Sequence, residues 1–292
     1  MFSDTHFHLA YLAEQGVDLP QVFRQLAERN CAFALDIGTK CDDLPHRLTL
    51  AERIIQEAGD AKNRAALMLH FSAGIWPGVD AIQDRAAQTA ALKSHVSAEL
   101  SQVCAVGECG LDHHWNPGGA DGRNENDFDA QIIRGEAELF ETQLELARAF
   151  EFPVIVHSRD AFDGTFSCIK NLSYDNGVIH CFSYGIDEAR AFLERGWYIS
   201  FSGGITYTKK SRLEDMKKLL AFVPKDRLLL ETDAPYLSPV PFRGAMNTPV
   251  LVEQVYRFAS DLLQIDAETL SDLVDRNADK LFCQFFDKKN AD

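Results

Sequence analysis

Eight times along this chain a short apolar run is followed by a stretch with helical periodicity, and no other feature limits the fold as strongly. The runs are "FSDTHFH" (2–8), "AFALDIG" (32–38), "LMLHFSAGI" (67–75), "AVGECGLD" (105–112), "PVIVHS" (153–158), "GVIHCF" (177–182), "YISFSGG" (198–204) and "LLLETDAP" (228–235). Between them, Leu19, Val22, Phe23 and Leu26 recur at i, i+3, i+4 and i+7. Ala137, Phe140, Leu144 and Ala147 form a second helical stripe, and Leu251, Val255, Phe258, Ala259 and Leu262 a third. Gly196 stands where a helix C-terminal cap belongs.

Strands that alternate with helices imply a parallel sheet with crossover connections. Eight such units in 292 residues predict an α/β fold closed into a (β/α)8 TIM barrel, a fold that runs to roughly 250 residues as one domain. The 46% hydrophobic content is ample for its core. An open doubly wound sheet is the alternative. Such sheets bind nucleotides through a Gly-rich first turn, and the chain has neither G-x-G-x-x-G nor a P-loop. No low-complexity linker splits the chain, so we read 1–292 as one domain, with 284–292 as a frayed tail.

Several classes are disfavoured. No run approaches the ~18 uninterrupted apolar residues of a membrane span, and the N-terminus lacks the basic-then-apolar pattern of a signal peptide. Seven scattered cysteines without C-x-x-C suggest neither a disulfide framework nor a structural zinc site. The expectation is a cytoplasmic protein with no membrane and no obligate protein partner. A net charge of −15 argues against broad capture of nucleic acid, although a bound cation can supply the local positive field.

In a barrel, active-site groups lie at the C-terminal ends of strands. Metal-competent side chains occur there on five of the eight runs: His6 and His8, Glu108, His157, His180, and Asp233. Residues i and i+2 of a strand face the same way, so His6 and His8 project together, about 6.5 Å apart at Cα. Alone, an H-x-H is as readily two partly exposed histidines. Two successive strands ending in histidine, and a carboxylate within "AVGECGLD", are harder to dismiss, because an unpaired buried carboxylate is costly. Asp233 could also cap a turn, and Glu231 shares its face, leaving the inward residue a matter of register. Four histidines and two carboxylates suit two divalent ions with Glu108 as a candidate bridge, and imidazole favours Zn, Mn, Fe, Co or Ni over Mg.

The segments "DTHFHL", "GECGLD", "PVIVHSRDA", "GVIHCFS", "YISFSG", "RLLLETDAPYLSPVPFRG" and "NTP" stand in the order of the TatD family of metal-dependent deoxyribonucleases, amidohydrolase-like TIM barrels, and the resemblance runs over nearly the whole chain. It implies that His6, His8, Glu108 and Asp233 hold one ion, and that Glu108, His157 and His180 hold a second. The ions would be Mg, Mn, Zn, Co or Ni. Asp233 would also orient or deprotonate the attacking water, with Glu108 as its catalytic companion. The implied reaction is hydrolysis of DNA phosphodiesters.

The chain departs from the family pattern in four places. "GIWP" puts Trp76 where the family has histidine; it either stacks on a base, a contact worth ~1–3 kcal/mol, or simply packs. His113 and His114 replace an aromatic pair and are read as loop residues near the substrate. "WNPGGADGRNENDFDA" reads as an acidic surface lid. "PFRGAMNTP" keeps Arg243, a candidate phosphate contact, but has Ala245 where a lysine is common. The alternative function is therefore the same dinuclear site acting on a small phosphoester, amide or lactone. His46, His70 and His95 read as structural or solvated, and Cys109 and Cys181 alternate away from the ligand face.

Overall fold

The computed structural model describes residues 2–114 and 128–283. Most of the segment read as a lid, 115–127, and the tail 284–292 lie outside the described residues.

All eight expected strands form: β1 Asp4–Phe7, β2 Ala34–Asp36, β3 Leu69–Ala73, β4 Val103–Asp112, β5 Val154–Arg159, β6 Gly177–Ile179, β7 Tyr198–Phe201 and β8 Leu228–Leu230. They pair in sequence order, each parallel to the next. The ends of the sheet meet through a parallel bridge between Phe7 and Ala234. Asp233 N–H donates to His6 O at 2.9 Å, and His8 N–H to Ala234 O at 2.8 Å. Below this seam, the buried Asp4 carboxylate accepts from Thr232 N at 2.9 Å and Thr232 Oγ1 at 2.6 Å. The result is a TIM barrel. Several ladders are shorter than the apolar runs, because the run continues past the last paired residue into the loop that carries the polar side chain.

The helical stripes face inward as their periodicity predicts. In helix Leu19–Glu28, Leu19, Val22, Phe23 and Leu26 are all buried, and the Asp18 carboxylate accepts from Gln21 N–H as an N-cap. Helix Ala130–Phe150 buries Phe140, Leu144 and Ala147, and is capped by Asp129. In helix Val252–Leu263, Val255 and Ala259 are buried. Gly196, at φ 89°, follows helix Ile186–Glu194 in the left-handed conformation expected of a terminating glycine. All seven cysteines are free thiols, and no helix among the described residues is long and apolar enough to cross a membrane.

Candidate metal centre

The six side chains singled out in the sequence converge at the C-terminal mouth of the barrel. Glu108 is at the centre. Its Oε1 lies 2.9 Å from His157 Nδ1 and 3.0 Å from His180 Nε2. Its Oε2 faces the other pair, 3.5 Å from His6 Nε2 and 3.8 Å from His8 Nε2. Asp233 Oδ1 completes that side, 3.7 Å from His6 Nε2 and 3.5 Å from His8 Nε2.

Local backbone chemistry explains the convergence. Glu108 sits in the sequence "GECG", and a Cβ on Gly110 would lie 1.9 Å from His157 O. Only glycine lets β4 pass β5 that closely. The β4–β5 register slips between Gly107 and Cys109, so Glu108 has no strand partner and is free to reach the centre of the mouth. Asp233 adopts φ 58°, a left-handed turn tolerated by Asp, which aims its carboxylate back across β1.

The donor set fits metal ions. His6 is fully buried, yet neither ring nitrogen has a hydrogen-bond partner among the described residues, and His8 Nδ1 and His180 Nδ1 are in the same condition. Buried polar atoms are rarely left so. The 3.5–3.8 Å gaps between the His6–His8 pair and its carboxylates are too long for good hydrogen bonds and suit groups converging on an ion. Groups able to hold an ion within this mouth are His6, His8 and Glu108, then Glu108, His157 and His180, and thirdly His6, His180 and Glu231.

The electrostatics are those of a cluster poised to exchange protons for cations. Burial opposes a charge on His157, but hydrogen bonds to Asp112 and Glu108 outweigh it and raise its pKa to about 9. Burial likewise opposes the His180 charge, and Glu108 and Glu231 overcome it. Glu108 is held well below the carboxylate range, because His180 and His157 outweigh its desolvation. His6 goes the other way, down to about 4, through burial and the neighbouring His180. Without metal, His157 therefore carries a proton below about pH 9 that an ion must displace. Metal affinity is expected to rise about tenfold per pH unit between pH 6.5 and 9 for each proton displaced. The metal-free protein moves oppositely: the stability contributed by the raised His157 pKa is full below 6.5 and lost as pH passes about 9. Calorimetric titration and thermal melts at matched pH values check both.

Two carboxylates complete the centre. Asp112 Oδ2 holds His157 Nε2 at 2.9 Å, fixing the ring so that Nδ1 faces Glu108. Glu231 Oε1 lies 3.4 Å from His180 Nδ1 and accepts from Cys181 N–H at 2.6 Å, while Ser200 Oγ donates to Oε2 at 2.5 Å. The register question at the end of β8 thus has both acids inward at different depths: Glu231 below, against His180, and Asp233 above, against His6 and His8. Asp112 went unremarked in the sequence, although Glu108, Gly110 and Asp112 alternate onto one face. Partners of this kind tune ligands, so Asp112→Ala is expected to weaken metal binding about 10–100-fold, measurable by titration.

The remaining predicted residues spread around the rim. Trp76 packs edge-on against His157, with ring centroids 5.9 Å apart. His113 Nε2 lies 2.9 Å from Glu136 Oε2, and His114 Nδ1 lies 2.6 Å from Asp160 Oδ2, so both histidines contact carboxylates. Arg243, on the exposed loop after β8, lies over the Tyr207 ring at 4.5 Å. The histidines read as structural or solvated lie outside the cluster: His70 stacks on Phe33 and His95 Nδ1 contacts Cys41 O. Cys181 Sγ pairs with Ser202 Oγ, and Cys109 Sγ turns to Ile155 O.

A parallel barrel whose mouth gathers four histidines around a shared carboxylate has the form of a metal-dependent hydrolase. Comparison with known proteins agrees. The family described as TatD related DNase matches residues 3–283, and the chain belongs to this family. Its sequence is 31% identical over 285 residues to the uncharacterized metal-dependent hydrolase YabD of Bacillus subtilis, covering 97% of this chain and 99% of that protein. It is 31% identical over 283 residues to the uncharacterized metal-dependent hydrolase YcfH of Escherichia coli, covering 96% of this chain and 94% of the other. The fold superposes on the crystal structure of YJJV, a TatD homologue from Escherichia coli, with a TM-score of 0.76 and 25% identity over 96% of this chain and 97% of that one.

Proposed function

We propose that this metal-dependent hydrolase holds two divalent ions and cleaves phosphodiester bonds in DNA. The observation that carries the two-ion reading is the division of Glu108: one carboxylate oxygen faces His157 and His180, the other faces His6 and His8. The rings of His6 and His180 give independent support. They stack with centroids 3.9 Å apart and planes 8° from parallel. An imidazole lone pair lies in the ring plane, so rings stacked in this way favour separate ions over a shared one. Ions in such sites stand ~3.5–4 Å apart.

His6, His8, Glu108 and Asp233 would hold the first ion; Glu108, His157 and His180 the second. When bound, a pair of Mg, Mn, Zn, Co or Ni ions polarises a phosphoryl oxygen and lowers the pKa of the attacking water. The residues of the chain do the rest. Asp233 faces the first-ion side at the open edge of the mouth, where it orients the water and accepts its proton as the P–O bond breaks. Glu108 fixes the spacing between the two ligand sets.

The DNA assignment rests on the family description, on Trp76 beside His157 for contact with a base, and on Arg243 at the rim for a phosphate. A small phosphoester, amide or lactone is the second reading. It draws on the charge of −15 and on the exposed Tyr236, Val240, Phe242 and Met246, which sit on the same loop as Arg243 and suit a partly apolar substrate. The test is protein reloaded with Mg, Mn, Co or Zn, assayed on single-stranded and duplex DNA beside p-nitrophenyl phosphodiesters, lactones and amides. DNA cleavage with a KM that climbs steeply with salt is expected. Turnover of lactones or amides without DNA cleavage would transfer the assignment to the second reading. At saturating metal, Asp233→Asn should lower kcat by about 10²–10⁴; an unchanged kcat would remove Asp233 from its role.

A further inference from the structure

Beneath the metal centre lies a buried charged group that touches none of the ligands. Arg47, on helix Leu44–Glu57, reaches inward to the ends of β2 and β3 and is 1% exposed. Its guanidinium pairs with the fully buried Asp36 at 2.7 Å and with Asp43 at 2.9 Å, and donates to Ser72 O at 2.6 Å. It presses so closely on Gly38 that a Cβ there would lie 2.7 Å from it. A buried ion pair is poor value for stability alone, since desolvation consumes most of the attraction. What distinguishes this one is where its connections lead.

One branch runs to the His6–His8 pair. The second oxygen of Asp36 accepts from Leu9 N–H at 2.8 Å, the peptide that follows His8. The other branch runs to Glu108. Ser72, whose carbonyl Arg47 holds, donates through Oγ to Gly107 O at 2.6 Å and accepts from Gly38 N–H at 3.1 Å. Gly38 O in turn accepts from Glu108 N–H at 2.7 Å. The peptide joining Gly107 to Glu108, which the β4–β5 ladder skips, is thus clamped at both its carbonyl and its N–H by groups packed on Arg47. No strand ladder performs this duty.

We infer that Arg47, Asp36 and Ser72 are positioning residues that fix the separation between the Glu108 carboxylate and the His6–His8 pair, and so set the affinity for the ion between them. The inference rests on the metal-centre reading above. Side chains held to within a fraction of an ångström are what separate a tight metal site from a loose one.

The experiment is titration of metal-free protein with Mn²⁺ alone, followed by calorimetry and by metal analysis after gel filtration. Two variants are compared with the wild type. The double variant Arg47→Met with Asp36→Leu removes the pair together and leaves the total charge unchanged, while Asp43 keeps its bonds from Thr39 N–H and Lys40 N–H. Ser72→Ala removes only the hydroxyl of the clamp and decides the matter should the double variant not fold. The expected result is at least tenfold weaker binding of one ion in both folded variants, with metal-free melting temperatures within a few degrees of wild type. Mn²⁺ affinities within twofold of wild type, with or without a lowered melting temperature, would reduce the network to ordinary packing and overturn the inference. A wild type that takes up no Mn²⁺ would overturn the metal-centre reading itself, and this inference with it.

Discussion

Exchanging Glu108 for glutamine is expected to weaken both ions together and to abolish hydrolysis. Its two oxygens divide between the histidine pairs: one faces His157 and His180 at 2.9 and 3.0 Å, the other faces His6 and His8. Glutamine preserves shape but removes the charge that offsets two cations. The loss of affinity should exceed the roughly 10–100-fold that follows removal of an outer partner such as Asp112. With the ions gone, several kcal/mol of transition-state stabilisation go too, so activity should fall by about 10³-fold or more. Metal content after dialysis against trace Mn²⁺ or Zn²⁺ is the direct readout. A glutamine variant retaining one full ion per chain would mean that Glu108 is not shared.

The double variant His6→Ala with His8→Ala should behave differently, and the difference matters more than either result alone. It strips one side of the centre while leaving Glu108, His157, His180 and Asp112 in contact. The expected stoichiometry is one ion where the wild type holds two, with hydrolysis reduced about 10³-fold or more for want of the second cation. Folding should survive. The variant opens a cavity, but it also removes three buried ring nitrogens, both of His6 and Nδ1 of His8, that have no hydrogen-bond partner among the described residues, and leaving such groups unpaired costs ~1–3 kcal/mol each. Circular dichroism and melting of the metal-free protein check this. Full metal content in the variant would show that the pair holds no ion.

Much of this centre could be read from the sequence because barrel geometry is periodic. A strand-like run ending in a polar side chain is enough to place that side chain at the mouth, and His6, His8, Glu108, His157 and His180 each obey that rule. The same periodicity gave the eight strands and the buried faces of Leu19–Glu28 and Ala130–Phe150. Other features depend on distances between strands, which a sequence does not carry. Glu231 and Asp233 share a face, and only the left-handed turn at Asp233, φ 58°, sends them to different histidines. Asp112 differs from any strand-end acid only through His157 on the neighbouring strand. Arg47 is a charged residue in an outer helix, and nothing in its local pattern beyond Asp43 four residues earlier signals that it is buried beneath the barrel mouth. His113 and His114, read as loop residues near the substrate, follow β4 and contact Glu136 and Asp160, partners that the sequence does not signal.

The central claim is that one carboxylate joins two metal positions. Anomalous scattering from a metal-reloaded crystal, collected on both sides of the metal absorption edge, tests it most directly. Two peaks ~3.5–4 Å apart, each within bonding distance of a different Glu108 oxygen, are the predicted result. A single peak among His6, His180 and Glu231, the third group able to hold an ion in this mouth, or no peak in fully loaded protein, would contradict it.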